Sequence, residues 1–225
     1  MKELKIIAHI HTDFPEKFGI PRQSGLVAGL KGRIVFEPEY RNPDAIKGIE
    51  EFTHLWLLWE FEEVEKDTFT ATVRPPRLGG NETRGVFATR SPFRPNPIGL
   101  SSVKLEGVEM TENGPVLIVS GIDLRDNTPI FDIKPYLAYA DSHPEASNGF
   151  AGEHLEEKLE VIFPESLLCK LPDVDRETLI SVLSEDPRPH YQNDPERTYG
   201  LSYKSFDIHF NVKGNILTVT DITNI

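Results

Sequence analysis

The first 140 residues alternate short apolar runs with turn-forming residues, and few of those runs keep a helical period. Leu4–Ile10 and Gly32–Phe36 are rich in apolar or β-branched residues and are bounded by Pro, Gly and polar positions, which predicts strands. His54–Phe61 (HLWLLWEF) is apolar on both faces and predicts a buried central strand. Phe69–Val73 and Gly85–Thr89 are shorter strand candidates. Ser101–Gly107 and Val116–Ile122 repeat with period two on either side of an Asn-Gly pair, the pattern of a β-hairpin. Asp126-Asn-Thr-Pro predicts another turn, leading into a strand at Ile130–Ile133. Asn42 followed by Pro43 supplies an N-cap and a first-turn proline, so a short helix is expected across 42–51. Short strands with regularly spaced turns favour a barrel or sandwich over a doubly wound sheet.

From about Asp141 the pattern changes. DSHPEASNGFAGEHLEE is polar and reads as a linker. An acidic helix follows near 173–185, then LSYKSFDIHF and ILTVTDI as two strands around Lys213-Gly214-Asn215. The expected division is therefore a β-rich domain over 1–142 and a small α+β appendage over 143–225.

Composition narrows the class. The chain has 225 residues, 38% hydrophobic and 27% charged, which suits neither a disordered tail nor a membrane-spanning protein. No stretch approaches the roughly 18 apolar residues of a spanning helix. The N-terminal MKELKIIAHIHTDF reads as a first strand and not as a signal peptide. The single cysteine, Cys169, excludes an internal disulfide and argues against a thiolate metal site, consistent with a reducing cytoplasm. In FPESLLCKL it is expected to be a small buried hydrophobe. The seven histidines do not fall at metal-ligand spacing, so no metal is expected. His54 is read as a hydrogen-bonded core residue.

The net charge of −12 argues, by itself, against a nucleic-acid partner. Its distribution argues the other way. Residues 72–104 hold Arg74, Arg77, Arg84, Arg90, Arg94 and Lys104 against one acid, Glu82, whereas residues 37–67 hold ten acids and three bases. The basic segment either balances its acidic neighbour or serves an anionic ligand.

No G-x-G-x-x-G, G-x-x-x-x-G-K-[ST], G-x-S-x-G or H-E-x-x-H pattern is present. The chemistry sits in VRPPRLGGNETRGVFATRSPFRPNPIG, where Pro92, Pro95 and Pro97 stiffen an extended path carrying Arg90 and Arg94. Guanidinium groups held this way match carboxylates and phosphates in paired hydrogen bonds and stack on base planes. Pro21-Arg-Gln-Ser-Gly-Leu offers free backbone N–H groups, and Gly121-Ile-Asp-Leu-Arg-Asp puts Asp123 and Asp126 on a loop. These two carboxylates grip an amine or a ribose hydroxyl, or else they cap turns.

GLVAGLKGRIVF, NPDAIKGIEEFTHLWLLW, VRPPRLGGNETRGVFATRSPFRPNPIGLS and DNTPIFDIKPYL closely resemble the TsaA-like family of tRNA methyltransferases, the TrmO type, densely over residues 3–142 and more thinly beyond. The resemblance implies a mainly β protein, with a single-sheet β-barrel that binds S-adenosyl-L-methionine and a small C-terminal appendage, usually as a homodimer. It implies methylation of N6 of threonylcarbamoyladenosine next to the anticodon, with the tRNA anticodon loop as partner. Carried over, the cofactor contacts fall on Ser24, Gly25, Leu26, Glu62, Glu63, Arg90, Leu100, Asp123, Leu124, Arg125 and Asp126.

The substrate's threonyl carboxylate is expected to pair with Arg84 or Arg94. Phe87, Phe93 or Tyr136 would offer an aromatic platform for a splayed base, or else belong to the core. The acceptor N6 is bonded to a carbonyl, so its lone pair is delocalised and its proton must be shared or removed. Asp132, Tyr136 and the Asp123/Asp126 pair are the candidates for that role. A non-catalytic RNA-binding barrel, or a cofactor-binding relative acting on another substrate, is the competing reading.

Overall fold

A computed structural model describes residues 3–62, 69–75, 82–152, 158–188 and 194–225. Six strands close into one antiparallel barrel: β1 (Ala8–Thr12), β2 (Lys31–Phe36), β3 (His54–Glu60), β6 (Ile98–Thr111), β7 (Gly114–Ser120) and β8 (Thr128–Pro135). Around the barrel they run β1-β2-β7-β6-β3-β8. Between β3 and β6 a two-residue ribbon, β4 (Thr72–Val73) with β5 (Arg84–Gly85), stands apart as its own small sheet. Closure leaves no exposed sheet edge among the six strands, which removes the usual route to strand-by-strand aggregation.

Period-two alternation decides what fills the barrel. Ile10, Ile34, Leu55, Leu57, Val103, Leu105, Leu117, Val119 and Ile130 all point inward and are buried. β3 shows why HLWLLWEF looked apolar on both faces. Leu55, Leu57 and Trp59 face the core, while Trp56 lies on the outer face and donates its indole N–H to Asp141 at 3.0 Å. The hairpin between β6 and β7 forms as expected, pairing Thr111 with Gly114, and Gly114 adopts a φ of 100° that a side chain would disfavour.

The expected helix over 42–51 is two short 3-10 turns, Pro43–Ile46 and Ile49–Glu51. Asn42 does cap the first, accepting a hydrogen bond from the Asp44 N–H, but Lys47 turns extended and Gly48 goes left-handed at φ 83°. That sequence of conformations ends the first 3-10 turn and keeps an α-helix from forming across the segment.

The C-terminal half forms a second sheet from β9 (Glu160–Ile162), β10 (Tyr199–Tyr203), β11 (Phe206–Lys213) and β12 (Ile216–Asn224), ordered β10-β11-β12-β9. The run read as two strands holds three, because a tight turn at Lys204-Ser205 divides its first half. Lys204 sits there at φ 55°. Two four-residue helices, α1 (Ala138–Asp141) and α2 (Glu165–Leu168), precede the acidic helix α3 (Asp173–Ser184). Leu179, Val182 and Leu183 of α3 are buried with Leu201, Phe210, Leu217 and Val219 of the sheet.

Barrel and sheet share one continuous hydrophobic cluster. Phe14 meets Tyr203 edge to face at 5.7 Å, and Phe18 stacks on Phe210 at 6.5 Å. Gly19 lies so close to Leu201 that a Cβ would come 2.0 Å from its Cδ1. Two expectations from the sequence fail on exposure. Cys169 is exposed at the end of α2, its thiol donating toward Glu165, and His54 is exposed at the start of β3, bonded to the Thr53 hydroxyl. Both lie at element ends, where local apolar neighbours do not guarantee burial.

Candidate active site

One end of the barrel opens into a cavity of about 550 Å3, within the range of small-molecule sites. The end of β3, the start of β6 and the loop after β7 form its floor and one wall. The segments 20–23 and 89–96 form the opposite wall. The Pro-rich path behaves as its composition demands: Arg94 N–H donates to Pro92 O, Phe61 N–H to Pro97 O, and the Thr89 carbonyl accepts from the Arg94 guanidinium at 3.0 Å. The backbone between Thr89 and Ile98 is thus fixed by short-range bonds and by its tie to Phe61, and Arg90 and Arg94 line the cavity from a stiff support.

Of the residues implied by the family resemblance, Glu62, Arg90, Leu100, Asp123, Leu124 and Arg125 line this cavity, as does Arg94. Ser24, Gly25 and Leu26 form the loop behind Asp123 without lining the cavity. Gly25 N–H donates to Gly121 O at 2.8 Å, and the Ser24 hydroxyl accepts from Ser102 N–H. Gly25 and Gly121 both have positive φ, and a Cβ on Gly121 would lie 3.4 Å from the Gly25 Cα, so the two loops close tightly. Asp126 is turned away and is held by the Thr12 N–H at 3.0 Å and His11. Glu63 lies outside the described residues.

Arg84 is also elsewhere, paired with Glu82 at 2.7 Å and lying over the Phe150 ring. Tyr136 packs on the outer face of β3 against Trp56 and His54. Asp132 pairs with Lys134 and lies outside the cavity lining. Phe87 and Phe93 are not core residues. Phe87 is 71% exposed and Phe93 43%, and Phe87 stacks on Phe69, itself 61% exposed, with ring centroids 6.2 Å apart.

Charge in the cavity is arranged unevenly. The lining holds the cations Lys17, Arg22, Arg90, Arg94 and Arg125 and three carboxylates, Glu60 at the end of β3, Glu62 just beyond it, and Asp123. Arg125 binds Glu62, Lys17 donates to the Glu62 carbonyl at 3.1 Å, and Arg90 donates to the Gln23 side chain. Arg22 reaches the other way, donating to the Arg188 carbonyl at 3.0 Å and tying the cavity loop to the C-terminal sheet's surroundings. Burial pushes the Asp123 carboxyl up to about 6, and this outweighs hydrogen bonds from Ser101, from its own N–H and from Ser24, together with the nearby positive charge of Arg90.

Trp59, Gly99, Ser101 and Gln23 lie in segments the sequence marked, but pattern alone assigns none of them a ligand-binding role. One signal was available for Ser101. It is a buried polar residue at an inward position of β6, between Gly99 and Val103, where the other inward residues are apolar.

The fold and site define a closed single-sheet barrel with a mixed apolar and ionic pocket at one end, the geometry of a small-molecule-binding barrel. The chain belongs to the tRNA-methyltransferase O family. Its N-terminal domain matches over residues 9–142 and its C-terminal domain over 156–225. The tRNA (adenine(37)-N6)-methyltransferase of Escherichia coli K12 is 40% identical over 214 residues, covering 92% of this chain and 91% of that protein. A putative S-adenosylmethionine-dependent methyltransferase of Pseudomonas aeruginosa is 39% identical, covering 96% and 95%. A crystal structure of TrmO from P. aeruginosa superposes with a TM-score of 0.81 at 33% identity, over 100% of this chain and 98% of that one.

Proposed function

We propose that this protein is an S-adenosylmethionine-dependent tRNA methyltransferase that acts on N6 of adenosine 37 carrying the threonylcarbamoyl group. The observation that carries the reading is the cavity itself, in which Asp123 and Glu62 face a set of arginines across an apolar floor. The composition of that lining fits the cofactor. Trp59, Ile98, Leu100 and Leu124 offer apolar surface for an adenine, Asp123 accepts from a hydroxyl or an ammonium group, and the guanidinium groups suit a carboxylate. Full-length relatives named as tRNA (adenine(37)-N6)-methyltransferases support the same reading.

When bound, the sulfonium cofactor supplies a methyl group already activated for in-line displacement. The protein's part is to bind, to orient and to exclude water. The segments 20–23 and 121–125, tied together through Gly25 and Gly121, would hold the cofactor, with Glu62, Arg90 and Leu100 completing its contacts. Arg94 lines the cavity and is the better of the two arginines for the substrate's threonyl carboxylate, because Arg84 points to Glu82 and Phe150. The local excess of cations over residues 72–104 supports a tRNA partner despite the acidic whole, since affinity depends on the phosphates neutralised locally. The exposed Phe69–Phe87 pair supports stacking of an anticodon-loop base.

A homodimer, a cytoplasmic location and a division into a catalytic domain over 1–142 and an accessory domain over 143–225 belong to the same proposal. The test is methyl transfer from labelled cofactor to tRNA from cells lacking this gene, beside tRNA lacking the threonylcarbamoyl group. Label in the first sample alone is expected. Label in neither sample would overturn the assignment.

A further inference from the structure

Two side chains of the cavity lining, Trp59 and Asp123, are joined in a directed chain of hydrogen bonds through Ser101, which is buried and outside the lining. Trp59 Nε1 donates to the Ser101 hydroxyl oxygen at 2.9 Å, and that hydroxyl donates to Asp123 Oδ1 at 2.6 Å. They come from the end of β3, the start of β6 and the loop after β7, which the barrel closure brings together. Trp59 is 8% exposed and Ser101 is 1% exposed, so neither polar group is turned to solvent.

The direction of the chain follows from the donor inventory. An indole nitrogen can only donate, so at Trp59 the Ser101 oxygen must be the acceptor. A serine hydroxyl has one proton, which is then free to go to the carboxylate. The Ser101 O–H is therefore committed to Asp123 Oδ1, and a rotation that breaks this bond would leave a buried donor unsatisfied. The Asp123 carboxylate also accepts from backbone N–H groups, including that of Ser24. All of these partners donate, so the carboxylate is held in one orientation as an acceptor. Its other face borders the cavity.

We propose that Trp59 and Ser101 are positioning residues that fix the Asp123 carboxylate to accept a hydrogen bond from a hydroxyl or ammonium group of the bound cofactor. The inference rests on the cofactor reading above and adds two residues to it. Replacing Ser101 removes a hydrogen bond that favours the ionised form of a carboxyl already pushed up to about 6 by burial. The charged groups bordering the same cavity are Lys17, Arg22, Arg90, Arg94 and Arg125 as cations and Glu60 and Glu62 as carboxylates. Among the described residues no histidine lines it, and Asp123 is a lining group whose carboxyl is raised toward neutral pH.

The experiment is calorimetric titration of the full chain with S-adenosylmethionine between pH 5.5 and 8, with the Asp123 titration followed by carboxyl carbon NMR in the same samples. For the unsubstituted chain, affinity should fall as the pH drops through 6. Ser101→Ala should raise the Asp123 midpoint, weaken binding at pH 7 roughly tenfold, and move the fall in affinity to higher pH by the same amount as the midpoint. Trp59→Phe keeps an aromatic ring but removes the donor, and it should shift both quantities in the same direction by less. Thermal melts identify any variant that fails to fold, and the NMR midpoint in the remaining one still decides the question.

An unchanged Asp123 midpoint in folded Ser101→Ala would overturn the proposal. So would a shifted midpoint with unchanged cofactor affinity, which would leave Asp123 outside cofactor binding. Failure of the unsubstituted chain to bind the cofactor at any pH would instead overturn the functional reading on which this rests.

Discussion

Gly99 lies directly under the indole of Trp59: a Cβ built on Gly99 would sit 2.2 Å from Trp59 Cε2 and 2.4 Å from Cζ2. The two residues face each other across the β3–β6 pairing, and only a residue without a side chain lets the indole lie flat on β6. That contact aims the Trp59 N–H at Ser101. Gly99→Ala is therefore expected to force the indole off its position at a cost of roughly 1–3 kcal/mol, the usual range for overpacking a filled core. Cofactor affinity should fall with it. A melting curve and a binding isotherm on the same sample check this, and unchanged values for both would contradict the packing argument.

Asp123 sets stability against function. An aspartate ordinarily titrates near 3.8, and burial brings this one to about 6. Below pH 3.8 folded and unfolded forms are both protonated and the residue costs nothing. As pH rises toward 6 the unfolded chain ionises first, and the folded state loses roughly 3 kcal/mol relative to it by neutral pH. Asp123→Asn keeps an oxygen for the Ser101 hydroxyl and removes the buried charge. It is expected to raise the melting temperature at pH 7, to match the unsubstituted protein near pH 3.5, and to weaken cofactor binding at every pH above 6. Melts across that range supply the measurement.

The strands were readable because a closed barrel repeats one rule, inward apolar and outward polar, and short-range pattern carries it. The hairpin at 112–113 follows directly from that rule, whereas the strand at 54–60 was legible as a continuous apolar run, its outer face carrying Trp56 and Leu58. The cavity was readable only in part. Arg90, Arg94 and Asp123 stood out as charged residues on turn-rich segments, whereas Trp59 and Gly99 look like ordinary barrel residues until β3 and β6 are set side by side. Phe87 and Cys169 show the converse limit. Each has apolar neighbours along the chain, yet each is exposed, because burial depends on what the fold brings opposite and not on flanking residues.

Lys204 joins the two halves of the molecule. Its ammonium group binds Asp175 of α3 and lies 3.7 Å from Asp13, beyond β1, while its N–H donates to the Asp13 carbonyl. Burial, and the proximity of Asp175, push the Asp13 carboxyl up, and Lys204 opposes them. Lys204→Met would leave two carboxylates close together without their cation. The expected loss at pH 7 is roughly 1–3 kcal/mol, below that of a fully buried pair because the lysine is about one-third exposed. The loss should shrink as pH falls through the carboxylate range, where protonation removes the repulsion. Denaturant titrations at pH 7 and pH 4 test the sign, and an equal loss at both would refute it.

The stacked rings of Phe69 and Phe87 extend from the β4–β5 ribbon, where Val86 N–H donates to Ala71 O and Arg74 and Arg84 flank the pair along the chain. Aromatic faces among arginines suit a single-stranded base whose phosphates are neutralised nearby. Phe87→Ala is expected to weaken tRNA binding by about 1–3 kcal/mol, the range for loss of one base–aromatic stack, with cofactor affinity unchanged and with Phe87→Tyr close to the unsubstituted protein. Arg74→Ala should behave differently, lowering the slope of log affinity against log salt by about one phosphate's worth while leaving the base preference intact. Binding measured by fluorescence anisotropy over a series of salt concentrations separates the two effects. If Phe87→Ala instead leaves tRNA affinity unchanged but converts a dimer to monomers in sedimentation, the rings pack against a second copy of the chain and the stacking argument fails.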